Sequence, residues 1–288
     1  MTVLTGTLSQ ILVYPIKSCA SVQVASTEVT RFGLKWDRRW LIVDDQGVFQ
    51  TQRQIPHLAW IEPTIDENIL ALSAPSQPDI ELAIASEGFP QRTVTVWRDT
   101  IVAYDMGDEA AAWLDHFLQV PGRHFRLVQF DPSHARLCDT AWTGEGDLRS
   151  NHPFTDGFGL NVLSLAALDE LNQRLTQAGL DAVSVQRFRP NLIIDGMDAH
   201  EEDNMASMHI ETTQGTIVLE LVKPCTRCQV PEIDPYTAMR EPRISEVLGE
   251  YRRMSRMNNA ICFGVNAVVR KGTGLILQPG TFTYEIRF

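Results

Sequence analysis

Lys223-Pro224-Cys225-Thr226-Arg227-Cys228, continued by Gln229-Val230-Pro231-Glu232-Ile233-Asp234-Pro235, places two thiols beside two cations at the end of the apolar run Thr216-Ile217-Val218-Leu219-Glu220-Leu221-Val222. A thiolate is a soft donor suited to metals that prefer sulfur, and neighbouring positive charge lowers a thiol's pKa. Three roles are open to such a pair: half of a zinc site, a redox dithiol, or two thiols of which one matters. A structural zinc site usually draws its other ligands from a second close pair, whereas Cys19, Cys138 and Cys262 stand apart with no nearby His at ligand spacing. A thioredoxin-like dithiol opens a helix in a βαβ setting; Cys225 instead follows a strand and Pro224. A single functional thiolate fits the residues best.

Around the motif the chain reads as strands with a few helices. Asn191-Leu192-Ile193-Ile194 and Phe263-Gly264-Val265-Asn266-Ala267-Val268-Val269 have strand composition. Apolar residues at one-turn spacing predict a helix from Ser164 as N-cap to Gly179, burying Leu165, Leu168, Leu171 and Leu175. A further helix opens at Pro242 and turns Ile244, Val247, Leu248, Tyr251 and Met254 inward, with Arg252, Arg253 and Arg256 near its end where the helix dipole favours cations.

Roughly the first 100 residues read as short strands and turns. Trp40-Leu41-Ile42-Val43 and Val48-Phe49-Gln50-Thr51 flank Asp44-Asp45-Gln46-Gly47 as a hairpin, and Thr93-Val94-Thr95-Val96-Trp97 is a further strand. A helix over 108–119, with Trp113, Leu114, Phe117 and Leu118 on one face, is ended by Pro121-Gly122. That dipeptide is the expected boundary between units at 1–121 and 122–288. Phe125-Arg126-Leu127-Val128 follows as a strand, and the polar tract 139–159 is long enough to cover a cleft. The fold class is α+β and β-rich, with three helices and two halves.

The 288 residues are 44% hydrophobic and 21% charged, the balance of a globular protein. A formal net charge of −11 offers no overall field for phosphate backbones, and no basic run offsets it, so no nucleic acid is expected as a partner. Met1-Thr2-Val3-Leu4 and the residues after it lack a basic region followed by an apolar core, and no segment approaches the ~18 apolar residues of a membrane helix. Five cysteines, an odd number, fit free or metal-bound thiols better than a disulfide framework. The expectation is a cytoplasmic protein that does not engage a membrane.

Three further constellations bear on the thiolate. Tyr14-Pro15-Ile16-Lys17-Ser18 puts a cation next to a hydroxyl, Trp36-Asp37-Arg38-Arg39-Trp40 sets two guanidinium groups between aromatics, and Phe188-Arg189-Pro190-Asn191 places an Arg and an amide at a strand entrance. Each alone is an ordinary surface or strand-end arrangement. Together they supply forks and an ammonium for phosphate, polar groups for a heterocycle and a soft ligand for a metal, which is what a phosphorylated organic metal cofactor requires.

Through these stretches and Thr51-Gln52-Arg53-Gln54, in this order, the chain resembles the MOSC-domain proteins that carry an N-terminal MOSC β-barrel domain. The resemblance covers nearly the whole chain and implies an N-terminal MOSC-type β domain followed by a C-terminal MOSC β-barrel. It also implies the molybdenum cofactor, Mo-molybdopterin, with Cys228 as the metal ligand and catalytic residue. Lys17, Ser18, Arg38, Asp156, Ser164, Arg189, Asn191, Thr226 and Arg227 fall where the family contacts the cofactor.

The implied activity is reduction of small N-hydroxylated substrates such as amidoximes, hydroxylamines or N-hydroxylated bases. The alternative is a cofactor carrier or sulfur-handling protein without turnover. No iron–sulfur motif is present, so electrons are expected from a separate protein of flavoprotein, ferredoxin or cytochrome type. Family members with reductase activity often carry two threonines after the cysteine motif, where this chain has Gln229-Val230-Pro231-Glu232-Ile233. Glu232 is therefore expected to bring a negative charge near the metal.

Overall fold

In the computed structural model, which describes residues 4–85, 88–146 and 149–287, the strand that ends in the cysteine motif is one stave of a closed barrel. Around the barrel run Leu160–Ser164, Leu192–Asp195, Leu4–Val13, Gly280–Ile286, Met205–Thr212, Gly215–Thr226 and Ala260–Lys271, and the last of these pairs with the first. Seven strands cannot close through antiparallel pairs alone, because the strand direction must return to itself after one circuit. The odd pair is Leu160–Ser164 with Leu192–Asp195, which is parallel with Val162 opposite Leu192. A parallel pair needs a crossover, usually helical, and the helix Leu165–Gln177 supplies it.

The Ser164 side chain caps that helix by accepting from the Ala167 amide, and Gly179, at φ +73°, follows its end. Alternation along the strands separates two cores. Leu192 and Ile194 join Leu8, Val162, Leu219 and Phe282 inside the barrel. Ile193 points outward with Leu12 and Leu163, under the helices Leu165–Gln177 and Arg243–Tyr251.

The N-terminal half builds a second sheet in the order Trp40–Asp44, Phe125–Phe130, Asp99–Asp105, Gln91–Val96. Its first strand is buried on both faces. Trp40 and Ile42 enter the cluster covered by the helix Asp108–Leu118, while Leu41 and Val43 enter the cluster on the opposite side. The buried Asp105 carboxylate ties this sheet together, accepting from Arg92 at 2.9 Å and from Arg126 at 2.7 Å.

Several local expectations are revised. The arm Val48–Thr51 is not a full strand, since it makes only the isolated bridges Val43–Phe49 and Val48–Thr95. Its turn nevertheless forms as expected, with Gly47 at φ +80° donating to the Asp44 carbonyl. Just past the expected boundary at Pro121-Gly122, Phe125–Phe130 pairs with Trp40–Asp44 and Asp99–Asp105. Conversely, the first strand Leu4–Val13 lies in the barrel between two C-terminal strands.

Within the polar tract 139–159, of which 147 and 148 lie outside the described residues, a short helix Thr140–Thr143 and a strand Asn151–His152 form. The last long helix stops at Tyr251, and Arg252 is not a solvated dipole charge. It is buried, donating to the Cys262 carbonyl at 2.9 Å and to Asp203 at 2.5 Å.

One glycine guards the barrel seam. Gly264 sits at φ +72°, and a Cβ there would stand 2.7 Å from the Val162 carbonyl oxygen and 3.3 Å from Arg227 Nη2. Gly264→Ala is therefore expected to cost about 1–3 kcal/mol, read as a lower urea midpoint with an unchanged m-value.

Candidate functional site

The strand Gly215–Thr226 reaches the motif irregularly. Its register against Ala260–Lys271 shifts between Leu221 and Lys223 and again between Pro224 and Thr226. Proline within a sheet is tolerated at such bulges, and bulges beside active sites re-aim side chains. Beyond the strand the turn is held by the Arg227 amide, which donates to the Ile261 carbonyl at 2.8 Å. Cys228 is thereby exposed, whereas Cys225 is partly covered and burial raises its thiol pKa. The two thiols are inequivalent. Among the described residues no group of three or more His, Cys, Asp or Glu is arranged to hold a metal, so the pair has no partners for a four-ligand site.

Cys228 opens into a cleft between the barrel and the N-terminal sheet, and Lys17, Ser18, Arg38, Asp156, Arg189, Asn191, Thr226 and Arg227 line the same cleft. Its wall is cationic: Lys17, Arg38, Arg53, Arg187, Arg189 and Arg227 line it with one carboxylate, Asp156, and although Asp37 and Asp234 pair with Arg38 and Arg187 from outside the lining, positive charge remains in excess. Against a chain of net charge −11 this local excess points to an anionic ligand. Ser18, Arg38 and Arg189 hold left-handed backbone angles, φ +70°, +46° and +54°. Such conformations in non-glycine residues are costly and gather at functional sites.

The centre of the wall is a hub around Asp37, itself only 2% exposed. Its Oδ1 accepts from the Tyr14 amide and from Asn191 Nδ2, each at 2.9 Å, and Arg38 Nη1 donates to both carboxylate oxygens at 2.7 Å. Asn191 returns its own oxygen to Arg38 at 3.1 Å and to the Asn161 amide at 3.2 Å. The Asn191 side chain is thus fully engaged and acts by positioning Arg38. Arg227 is similarly committed, donating to the carbonyls of Phe263 and Phe188, the latter at 2.7 Å.

Other donors remain available. Lys17 gives two bonds, to the Phe154 carbonyl at 2.8 Å and to Asp156 at 2.5 Å, from a group with three protons. Burial lowers its pKa and Asp156 opposes that shift. Desolvation alone would favour protonated Asp156, but the charge and hydrogen bond of Lys17 hold it below the usual carboxylate range. Arg189 donates from Nη1 to the Cys19 carbonyl at 2.7 Å, while its buried Nη2 has no partner. Burial, and then the neighbouring Arg38 charge, bring the Arg189 pKa down to about 10, which leaves it cationic at neutral pH.

Two expected residues stand elsewhere. Ser164 is not in the cleft wall. It is fully buried, with Oγ donating to Glu202 at 2.8 Å while it caps its helix, so its hydroxyl is spent on the fold. Glu232 does not charge the cleft either: its buried carboxylate pairs with Arg240 at 2.6 Å. The nearby Asp234 instead holds Arg187 at 2.6 Å.

Several cleft residues carry no role in the sequence motifs, among them Arg53, Trp97, Asn161, Arg187 and Asn266. Arg53 lay within a quoted motif, and Asn161 had a signal of its own, an amide inside the apolar run Leu160-Asn161-Val162-Leu163. Trp97 carried none, since strand alternation does not reveal that it sits at the turn, 44% exposed and donating to Asp156 at 3.0 Å.

Behind the cleft, His152 is buried with its Nδ1 hydrogen-bonded to the Thr155 hydroxyl at 2.8 Å. Burial, then Arg136 and Lys17, push its pKa down to about 3, and burial of His200 brings that group down to about 4. Below about pH 6.5 the unfolded chain binds these protons and the folded one does not. Stability is therefore expected to be fully present above pH 6.5 and to fall with pH toward 4. His152→Gln should flatten that fall in urea titrations at pH 4.5 and pH 7.

Comparison with known proteins agrees with this architecture. The MOSC N-terminal beta barrel domain profile matches residues 5–121, and the MOSC domain profile matches residues 149–281. Mouse mitochondrial amidoxime-reducing component 1 is 33% identical over 255 residues, spanning 86% of this chain and 72% of its own. The human component 1 is 32% identical over 256 residues with the same coverage. Human molybdenum cofactor sulfurase is 29% identical over 261 residues, 85% of this chain but 28% of its own length. The chain belongs to the MOSC-domain family, in the group that joins a MOSC N-terminal β-barrel domain to a MOSC domain.

Proposed function

We propose that the cleft binds the molybdenum cofactor, with Cys228 as the protein ligand to the metal, and that the protein reduces N-hydroxylated compounds with electrons from a separate redox protein. The observation that carries this reading is the meeting of an exposed thiol with a cationic wall that includes a buried, unpartnered guanidinium nitrogen, Arg189 Nη2. A buried donor without a partner costs free energy unless a ligand satisfies it, and an anionic oxygen does so best. The donor set suits a phosphorylated heterocycle whose metal takes a soft sulfur ligand. The names of the mouse and human relatives support the substrate class, and that of the human sulfurase supports the cofactor.

When bound, the molybdenum cofactor supplies a metal able to accept the substrate oxygen and change oxidation state. The chain's own part is binding and orientation. Lys17 and Arg189 hold the anionic end, while Asp37 and Asn191 keep Arg38 in place. Cys228 offers its sulfur from a turn fixed by Arg227. Conversion of an amidoxime to an amidine takes up an electron pair and a pair of protons and releases water, so an outside donor must supply the electrons.

Protein made in a host that synthesises the cofactor is expected to contain about one molybdenum per chain and to reduce benzamidoxime with reduced viologen as donor. Molybdenum-loaded protein without turnover of any amidoxime or hydroxylamine would favour the carrier reading, to which an exposed thiol is equally suited. Stoichiometric zinc with no molybdenum would overturn both.

A further inference from the structure

The seam where the barrel closes carries an amide that the fold leaves incomplete. Asn161, 8% exposed, lies on the strand Leu160–Ser164 directly opposite Asn266 of the neighbouring strand, and both residues line the cleft. Its backbone is fully used: the amide donates to Asn191 Oδ1 at 3.2 Å and the carbonyl accepts from the Asn191 amide at 2.7 Å. The orientation of its side chain follows from chemistry. Arg227 Nη2 approaches at 3.3 Å, and a guanidinium can only donate, so the oxygen must face it. Nδ2 then points away, and it is buried with no acceptor in the protein.

We propose that Asn161 is a further cofactor-holding residue, its Nδ2 donating to an acceptor of the bound phosphorylated heterocycle. The inference rests on the proposed cofactor reading and adds a residue to it. An orphaned amide inside a cleft where Arg189 Nη2 is also unsatisfied is the pattern left when protein donors match ligand acceptors. Arg227 does not depend on Asn161, because the same Nη2 also donates to the Phe263 carbonyl. Removing the amide therefore leaves the cysteine turn held.

The test compares wild type, Asn161→Leu and Asn161→Ala, each made in hosts with and without cofactor synthesis. Leucine replaces the amide with an apolar group of similar size and relieves the unsatisfied donor, so cofactor-free Asn161→Leu should melt at or above the wild-type temperature. Pterin content after gel filtration, measured by fluorescence of the oxidised pterin, should fall roughly three- to tenfold in both variants, and the rise in melting temperature on loading should shrink. Asn161→Ala decides the matter if the leucine side chain disturbs folding. Wild-type pterin content and an undiminished thermal gain in the folded variants would overturn the inference alone. A wild-type protein holding no pterin would overturn the reading on which it rests.

Discussion

Cys228→Ser is expected to lower reduction of benzamidoxime by two orders of magnitude or more while leaving the melting temperature of the cofactor-free protein within a degree or two of wild type. The side chain is exposed at the tip of a turn whose hydrogen bonds come from Arg227, so the fold has little stake in its sulfur. Cys225→Ala should behave in the opposite way. Its thiol is partly covered, and burial keeps it in the neutral form, which is a poor metal ligand. Turnover should stay within about threefold of wild type, with a modest loss of stability from lost packing. Equal losses in the two variants would mean that the thiols act as a pair, and that the single-ligand assignment is wrong. Steady-state kinetics with a saturating artificial donor, set beside thermal melts, separates these outcomes.

Asp37→Ala is expected to produce the largest loss of stability of any substitution near the cleft, about 3–5 kcal/mol. The carboxylate joins the end of the first barrel strand, through the Tyr14 amide, to Arg38 and to Asn191. Its removal leaves the Arg38 guanidinium, whose side chain is only 11% exposed, without a counter-charge, and leaves a buried amide unsatisfied. Asn191→Leu removes the acceptor but keeps the ion pair, so it should cost less. Urea unfolding of both variants at pH 7 measures the difference. A cost for Asp37→Ala of about 1 kcal/mol or less would mean that solvent reaches the hub and that it does not organise the site.

The parts of this molecule that were legible in the sequence are those governed by local pattern. Leu168, Leu171 and Leu175 recur at helical spacing and are buried under one helix face, and Ser164 caps that helix as its position before the apolar run requires. Strand composition likewise located Thr216–Val222 within the longer strand Gly215–Thr226. What the pattern does not carry is pairing between distant segments. Leu4–Val13 reads as one more strand of an N-terminal β unit, yet it closes the C-terminal barrel, because its alternation fits any sheet with one buried face. Phe125–Phe130 similarly returns across a proline–glycine break to join Trp40–Asp44.

The cleft shows the same division. Lys17, Arg38, Arg189 and Arg227 were visible as cations within motifs, but which of them is spent on the fold depends on geometry. Arg227 is consumed by backbone carbonyls, whereas Arg189 keeps a free nitrogen. Ser164 has the hydroxyl expected of a ligand contact and uses it on Glu202 and a helix cap. Glu232 has the charge expected to alter the metal's surroundings and buries it against Arg240. Residue type sets the chemistry each group can perform. The neighbours brought by the barrel seam and the Asp37 hub decide whether it is free to perform it.

Whether Cys228 completes the metal's sulfur ligation in this cleft is decided by molybdenum X-ray absorption on loaded wild type and Cys228→Ser. About three sulfur neighbours per molybdenum are expected in the wild type, Cys228 Sγ together with two from the cofactor itself, and about two in the variant. The same sulfur count in both proteins, or no molybdenum in the wild type, would contradict that ligand assignment.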